Sequence, residues 1–444
     1  MTLLGRLIPW RAPFAAALLA FAAGLVVLGL AGPGPGSGAA ATATAARADA
    51  LEPLPASAPT TERLARLQAI ARARPTATAY ADVAGAALQL ARESADPTAY
   101  DRAGAAIREA LRRDPRDAGA LTEASALAAA RHRFPEALAF ARRARAAAPE
   151  ELGSYGVLVD ALVELGRPGA AIGELQTWLD RQPTVGGYAR ASYLRELRGD
   201  VPGALRAMVL AAQSAVGSRE QGASLESLVG DLQLRAGRTG AARRAYRLAL
   251  ARFRGLPKAE IGLARVAAAR GDLAGAERRL AALVARLPLT EQVVLLGETQ
   301  LARGERAAAR ETFALVEAQR RLLAASGVRT DAELSLFEAD HGDPARAVAM
   351  ARRAVTAREG LRAPDALGWA LTRAGRPQAG LRWARRALAL AAADPVSRLH
   401  AALAARDAGR PVLARRWLRT ALQAPGTLGP LRVREARRAL EGLS

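Results

Sequence analysis

No cysteine occurs in the 444 residues. That excludes disulfides, thiolate nucleophiles and cysteine-ligated metals, and it leaves an oxidising compartment tolerable. Aromatic residues make up only 4% of a chain that is 51% hydrophobic. The core must therefore be built of Ala and Leu, which suits close-packed helices. Three histidines are present, His132 and His341 at expected inter-helix turns and His400 within a helix. No two share metal-ligand spacing, so no metal site is expected. No lysine-bearing phosphate loop and no G-x-S-x-G elbow occurs, and no carboxylate pair is set apart by a motif. These absences predict a chain with no catalytic, metal or cofactor site. Lysine is nearly missing too: of 64 basic residues only Lys258 is a lysine. A formal net charge of +22 and a pI near 11.5 invite a polyanion reading. The same abundance of Arg, Ala, Gly and Pro follows from the coding bias of a GC-rich genome, so charge alone does not name a partner.

Arg6 and Arg11 precede an uncharged, largely apolar stretch from Pro13 to Gly32. About 19 helical residues at ~1.5 Å each reach ~28 Å, close to the ~30 Å hydrocarbon thickness of a bilayer. Residues 1–32 are expected to form a signal peptide or signal-anchor transmembrane helix. Positive charge before it points to an N-in orientation, with the rest of the chain extracytoplasmic. Cleavage is the alternative, at Ala43-Thr44-Ala45 or Ala48-Asp49-Ala50. The apolar run exceeds the usual ~7–15 residues of a cleaved signal, which favours the anchor. Residues 33–60, rich in Ala, Gly, Pro, Ser and Thr, are expected to be a flexible linker.

Over 61–444 the sequence repeats. Gly166, Gly199, Gly237, Gly271, Gly304, Gly342, Gly375 and Gly409 each end one helical stretch and precede another, at spacings of 33, 38, 34, 33, 38, 33 and 34 residues. Arg133 stands where a ninth turn is expected. Five residues after the glycine comes Ala171, Ala204, Ala242, Ala276, Ala309, Ala347 or Ala414, with Gly380 the exception. Seven residues before it stands a mostly small residue: Val159, Ser192, Gly230, Ala264, Gly297, Ser335, Gly368 or Ala402. A large apolar residue, such as Leu158, Val229, Leu263, Leu296, Leu334 or Leu367, precedes that small one. Two antiparallel helices approach closely only where side chains are small, and the neighbouring large residue fills the adjacent hole. The glycine supplies the backbone angles of the helix end, and prolines such as Pro149, Pro183, Pro257 and Pro288 close the second helix. The 38-residue spacings predict lengthened helices near 213–227 and 319–331.

This pattern resembles the tetratricopeptide repeat, from about Ala79 to Gln423 and in about ten copies. An earlier pair, Tyr80–Arg92 with Tyr100–Arg112, fits without a turn glycine. The bulky aromatic positions of the family are mostly Ala or Leu here. A sel1-like array, with its ~36–38-residue period, is disfavoured by the prevailing 33–34 spacing. The resemblance implies an all-α, right-handed superhelix of antiparallel helix pairs, with first helices lining a concave groove. Such arrays bind and do no chemistry.

Six residues before the turn glycines stand Asp160, Tyr193, Asp231, Arg265, Glu298, Leu336, Trp369 and Leu403, with Glu164, Glu196, Arg235 and Arg406 farther along those faces. Mixed charge with a few aromatics suits another protein or a peptide segment. The candidate groove residues are therefore Asp160, Glu164, Tyr193, Glu196, Asp231, Arg265, Glu298 and Trp369; a merely solvated face is the bland alternative. The Lys/Asn clamp that some relatives use on carboxylate tails is missing. The second helices carry Arg244 with Arg247, Arg382 with Arg385 and Arg386, and Arg416 with Arg419, each set on one helix face. Arg142–Arg143 and Arg352–Arg353 hold equivalent places. They predict a basic outer ridge suited to anionic lipid or another polyanion. Nucleic acid is the weaker form of that reading, because few aromatics interleave the arginines.

Overall fold

A computed structural model describes Leu54 and residues 58–443, apart from 95, 216–218 and 392–393. The expected membrane helix and nearly all of the expected linker lie outside the described residues. Those residues form helices and no strand.

Helix α1 (Thr60–Ala73) precedes a run of paired helices. These are α2 (Ala77–Ser94) with α3 (Thr98–Arg113), α4 (Ala118–Ala130) with α5 (Phe134–Ala147), α6 (Leu152–Glu164) with α7 (Pro168–Arg181), and α8 (Val185–Leu197) with α9 (Val201–Ser214). Then come α10 (Arg219–Arg235) with α11 (Thr239–Arg252), α12 (Pro257–Ala269) with α13 (Leu273–Arg286), and α14 (Thr290–Arg303) with α15 (Arg306–Ala325). The run ends with α16 (Asp331–His341) and α17 (Pro344–Ala357), α18 (Ala363–Arg373) and α19 (Pro377–Leu390), and α20 (Pro395–Asp407) and α21 (Pro411–Ala421). A short α22 (Pro425–Leu428) and α23 (Pro430–Glu441) close the chain. The expected lengthening falls on α10, with 17 residues, and on α15, with 20.

The small-residue register is where the paired helices touch. Ala171, Ala204, Ala242, Ala276, Ala309, Ala347 and Ala414 are all fully buried. Ser192 Oγ–H donates to the Ala204 carbonyl at 2.7 Å, so the two positions of the motif meet directly. Ser125 does the same to the Ala137 carbonyl at 2.8 Å. Gly368 explains the one departure from alanine. A Cβ there would lie 2.9 Å from the Ala384 amide nitrogen and 3.1 Å from the Gly380 carbonyl, so α18 and α19 meet backbone to backbone and both positions need glycine.

Two turn assignments need correction. The ninth turn is made by His132, not Arg133. His132 has φ +55, and its N–H reaches the Ala129 carbonyl as the Gly166 N–H reaches that of Val163. Arg133 is the residue after the turn, equivalent to Arg167. Gly342 has φ −130 and is not left-handed. There α16 runs directly up to Gly342, whose N–H still bonds the Glu338 carbonyl at 3.0 Å. Asp343 then caps α17 by accepting from the Ala345 N–H at 2.8 Å. The other seven glycines are left-handed as expected.

First and second helices differ in burial. Of the 14 residues of α14, ten are buried, against five of 20 in α15. For α18 and α19 the figures are nine of 11 and four of 14. The first helices are therefore covered on most faces, and the second helices form the outside.

What covers the first helices is the chain itself. The turn after α4 meets the loop after α15: the Arg329 N–H donates to the Arg131 carbonyl at 3.2 Å, and Arg133 Nη2 to that of Gly327 at 3.3 Å. One repeat on, the Leu361 N–H donates to Glu164 Oε2 at 3.2 Å. Farther along, Arg235 lies 3.7 Å from Asp394. Helix α22 packs on α10 and α12, and α23 on α14. The later repeats of the array thus close against its earlier ones.

Candidate partner-binding groove

The inner-face residues singled out by sequence are held by partners within the chain. Arg190, on α8, forks Asp160 with contacts of 2.8 and 2.6 Å. Glu196 takes Arg235 Nε at 2.8 Å. Asp231 accepts the Tyr246 hydroxyl at 2.7 Å and lies 3.2 Å from Lys258 Nζ. Arg265 Nη2 meets Glu291 Oε1 at 2.6 Å. Trp369 Nε1–H donates to Asp340 at 2.8 Å, and its ring stacks on His400 with centroids 4.4 Å apart. Tyr193 is half-buried against the α6–α7 core. Burial, with Glu164 and Glu196 near, pushes its phenol well above the usual value.

Sequence reasoning missed the partners: Arg190, Glu291, Asp340 and Arg432. A signal existed for most of them. Asp160 and Arg190, Arg265 and Glu291, and Asp340 and Trp369 sit 30, 26 and 29 residues apart. These are one-repeat steps between neighbouring first helices. Arg432 carried no such signal, since it reaches Glu298 across 134 residues.

Two buried clusters stand out. At the first, Glu164 is 6% exposed, and burial pushes its carboxyl up to about 7 against the pull of the Leu361 N–H and Arg362. Glu359 accepts from the Ala332 N–H at 3.2 Å and is likewise raised to about 7, by burial and then by Glu333 and Asp331. Neither Glu333 oxygen has a hydrogen-bond partner, and His132 Nδ1 stands 3.9 Å away. These groups lie on the seam where the coil closes.

At the second, donor atoms of Glu298, Asp340 and His341 lie within 4.8 Å of one another, a set able to hold a cation. The Arg432 guanidinium is that cation. Its Nη2 lies 2.9 Å from Glu298 and 3.0 Å from Asp340, and His341 Nε2 lies 3.3 Å from Glu298. Burial alone would raise both carboxyls, yet Arg432 brings each below its ordinary value.

On the outside, Arg142, Arg143, Arg244, Arg247, Arg352, Arg353, Arg382, Arg385, Arg386, Arg416 and Arg419 are all exposed as expected. Arg353 is tied to Asp331 at 2.7 Å.

Ten stacked helix pairs, touching through small residues at fixed distances from each turn, define a tetratricopeptide-type α-solenoid. No protein-family model and no curated protein matches the chain. Solved structures do. A human IFIT1 dimer with m7Gppp-AAAA shares 17% identity at a TM-score of 0.47, covering 75% of this chain and 78% of that one. A tetratricopeptide repeat protein from Parabacteroides merdae shares 17% at 0.38, covering 55% and 98%. Pseudomonas aeruginosa PilF shares 14% at 0.38, covering 46% and 93%. At these identities the likeness concerns the fold alone. Among the described residues no helix is long and apolar enough to cross a membrane.

Proposed function

We propose that the chain is a non-catalytic protein-interaction scaffold, tethered to or exported across a membrane by residues 1–32, that binds a partner segment along its inner face. One observation carries this reading: the inner face takes polypeptide, because α22 and α23 lie against α10, α12 and α14. The mixed acid, base and aromatic lining suits a peptide more than a small ligand or a lipid. Because most lining residues are paired within the chain, binding involves exchange of internal contacts. The test is a photo-crosslinking residue placed at half-exposed Asp231 in the full-length protein in its native membrane, with a matched one at exposed Arg385. Capture of a defined partner from 231 and not from 385 is the expected result. Capture from 385 alone would shift the function to the outer surface.

The exposure of the ridge arginines supports a second reading, attachment to an anionic surface. It predicts binding to vesicles containing phosphatidylserine and not to phosphatidylcholine vesicles, lost steeply as salt rises from 50 to 300 mM on the order of a shortening Debye length.

A further inference from the structure

Helix α23 is weakly seated for an element so far inside the coil. Of its residues only Ala436 and Ala439 are buried, with Val433 and Leu440 partly covered. A cleft lined by Arg406, Leu431, Arg434, Glu435 and Arg438 remains along its flank. Two buried methyl groups and the partly covered Val433 and Leu440 bury only modest apolar area, so hydrophobic contact alone does not fix the helix. Its register comes instead from arginines. Arg432 Nη1 reaches Glu298 Oε2 and Nη2 reaches Asp340 Oδ2, both at 3.0 Å. Arg434 Nη1–H donates to the Ala302 carbonyl at 3.3 Å.

The receiving side is built more firmly than the helix it receives. Glu298 is 4% exposed on the deeply covered α14, and His341 braces it. Asp340 is fixed by the Trp369 indole, which is itself stacked on buried His400. Phe313 stacks on His341 at 4.6 Å between centroids. Two carboxylates held by aromatic neighbours, with a planar guanidinium bridging them, form a site selective for arginine. A lysine ammonium has no such fork. The Arg432 side chain keeps 21% exposure, so the site opens to solvent on its side. Gly429, at φ +80 and ψ 162, joins α22 to α23 in a conformation that only glycine adopts readily, a pivot between the two helices.

We propose that Glu298 and Asp340 form an arginine-recognition site for a partner's arginine-bearing segment, and that Arg432 of α23 is a built-in occupant which that segment displaces. The inference rests on the groove reading above and names the residue the groove selects. Arginine in the site neutralises the buried Glu298 and the partly buried Asp340, so the site is stable only when filled, in cis or in trans. The occupant in cis sets a threshold that a partner must exceed, and a local arginine-poor segment cannot exceed it.

The experiment uses the full-length protein and a fluorescein-labelled peptide copying residues 430–441. The wild-type protein binds it weakly, because its own helix holds the site. Arg432→Gln binds it about tenfold more tightly or better, the range expected for loss of a buried charge-pair partner. Adding Glu298→Gln to that variant abolishes the gain, and a peptide with glutamine in place of its first arginine does not bind. An Arg432→Gln protein with an unchanged circular-dichroism spectrum that binds no better than wild type overturns the proposal. Should that variant not fold, hydrogen exchange on the wild-type protein decides: excess peptide accelerates exchange of the α23 amides, and unchanged exchange at saturating peptide overturns it. A partner crosslinked at 231 while α23 exchange stays unchanged leaves the groove reading standing and removes this one.

Discussion

Replacing Glu164 by Gln tests the seam that closes the coil. At pH 8 the wild-type protein holds a charged carboxylate at 6% exposure, and it accepts there from the Leu361 N–H. The folded-state pKa is raised to about 7 from an ordinary 4.5. Between those values the folded protein binds more protons than the unfolded chain, so stability falls as pH rises through this window and is highest below it. At 1.36 kcal/mol per pH unit the full effect is about 3 kcal/mol, an upper figure for one group. Glutamine keeps an acceptor for the Leu361 N–H, and its amide can donate to nearby carboxylates such as Glu333, whose oxygens have no hydrogen-bond partner. The variant is therefore expected to be more stable than wild type at pH 8, by about 1–3 kcal/mol, and close to it at pH 5. Urea melts at pH 5, 6, 7 and 8 read both quantities. A variant less stable than wild type at pH 8, or one with the wild-type pH slope, would refute the assignment of charge and burial at this seam.

Further outcomes follow from other sites. Acidification below about pH 4 reverses the trend, because Glu298, Asp340 and Asp394 all have folded pKa values below the ordinary carboxylate range. The stability they give is present above that range and lost as they protonate, which an acid melt monitored by circular dichroism will show. Trp369→Ala should destabilise the protein by about 3–5 kcal/mol through loss of a buried ring, and Trp369→Phe by about 1–2 through loss of the bond to Asp340, both measured by denaturant melts. Gly304→Ala should cost about 1 kcal/mol, a purely backbone penalty at φ +90 with nothing within 4 Å of the new Cβ. Gly368→Ala, whose Cβ meets backbone atoms at 2.9 and 3.1 Å, should cost about 2 kcal/mol or more in the same assay. Equal costs at the two glycines would contradict the backbone-to-backbone contact of α18 and α19.

The repeat was legible because it is local. The +5 alanines and the small residues before each turn answer to a contact within one helix pair, and that contact recurs at the same spacing whatever the rest of the chain does. The lengthened α10 and α15 were readable for the same reason, as were the exposed arginines of the second helices. The errors at Arg133 and Gly342 arose within single turns. A buried histidine takes the left-handed position in one, and a helix that runs directly into its cap removes the need for a left-handed residue in the other. The inner face was legible only in part. The repeat register of its candidate residues could be read, but not what they face.

Sequence by itself determined the helix pairs, their number and the side each presents, since these depend on contacts inside a window of about 40 residues. Tertiary structure decided that the coil closes, that Glu164 meets Leu361, and that Arg432 lies between Glu298 and Asp340. Those contacts join residues 92 to 197 positions apart. Their existence depends on small rotations between successive repeats summed over the whole array, a quantity that no single repeat encodes.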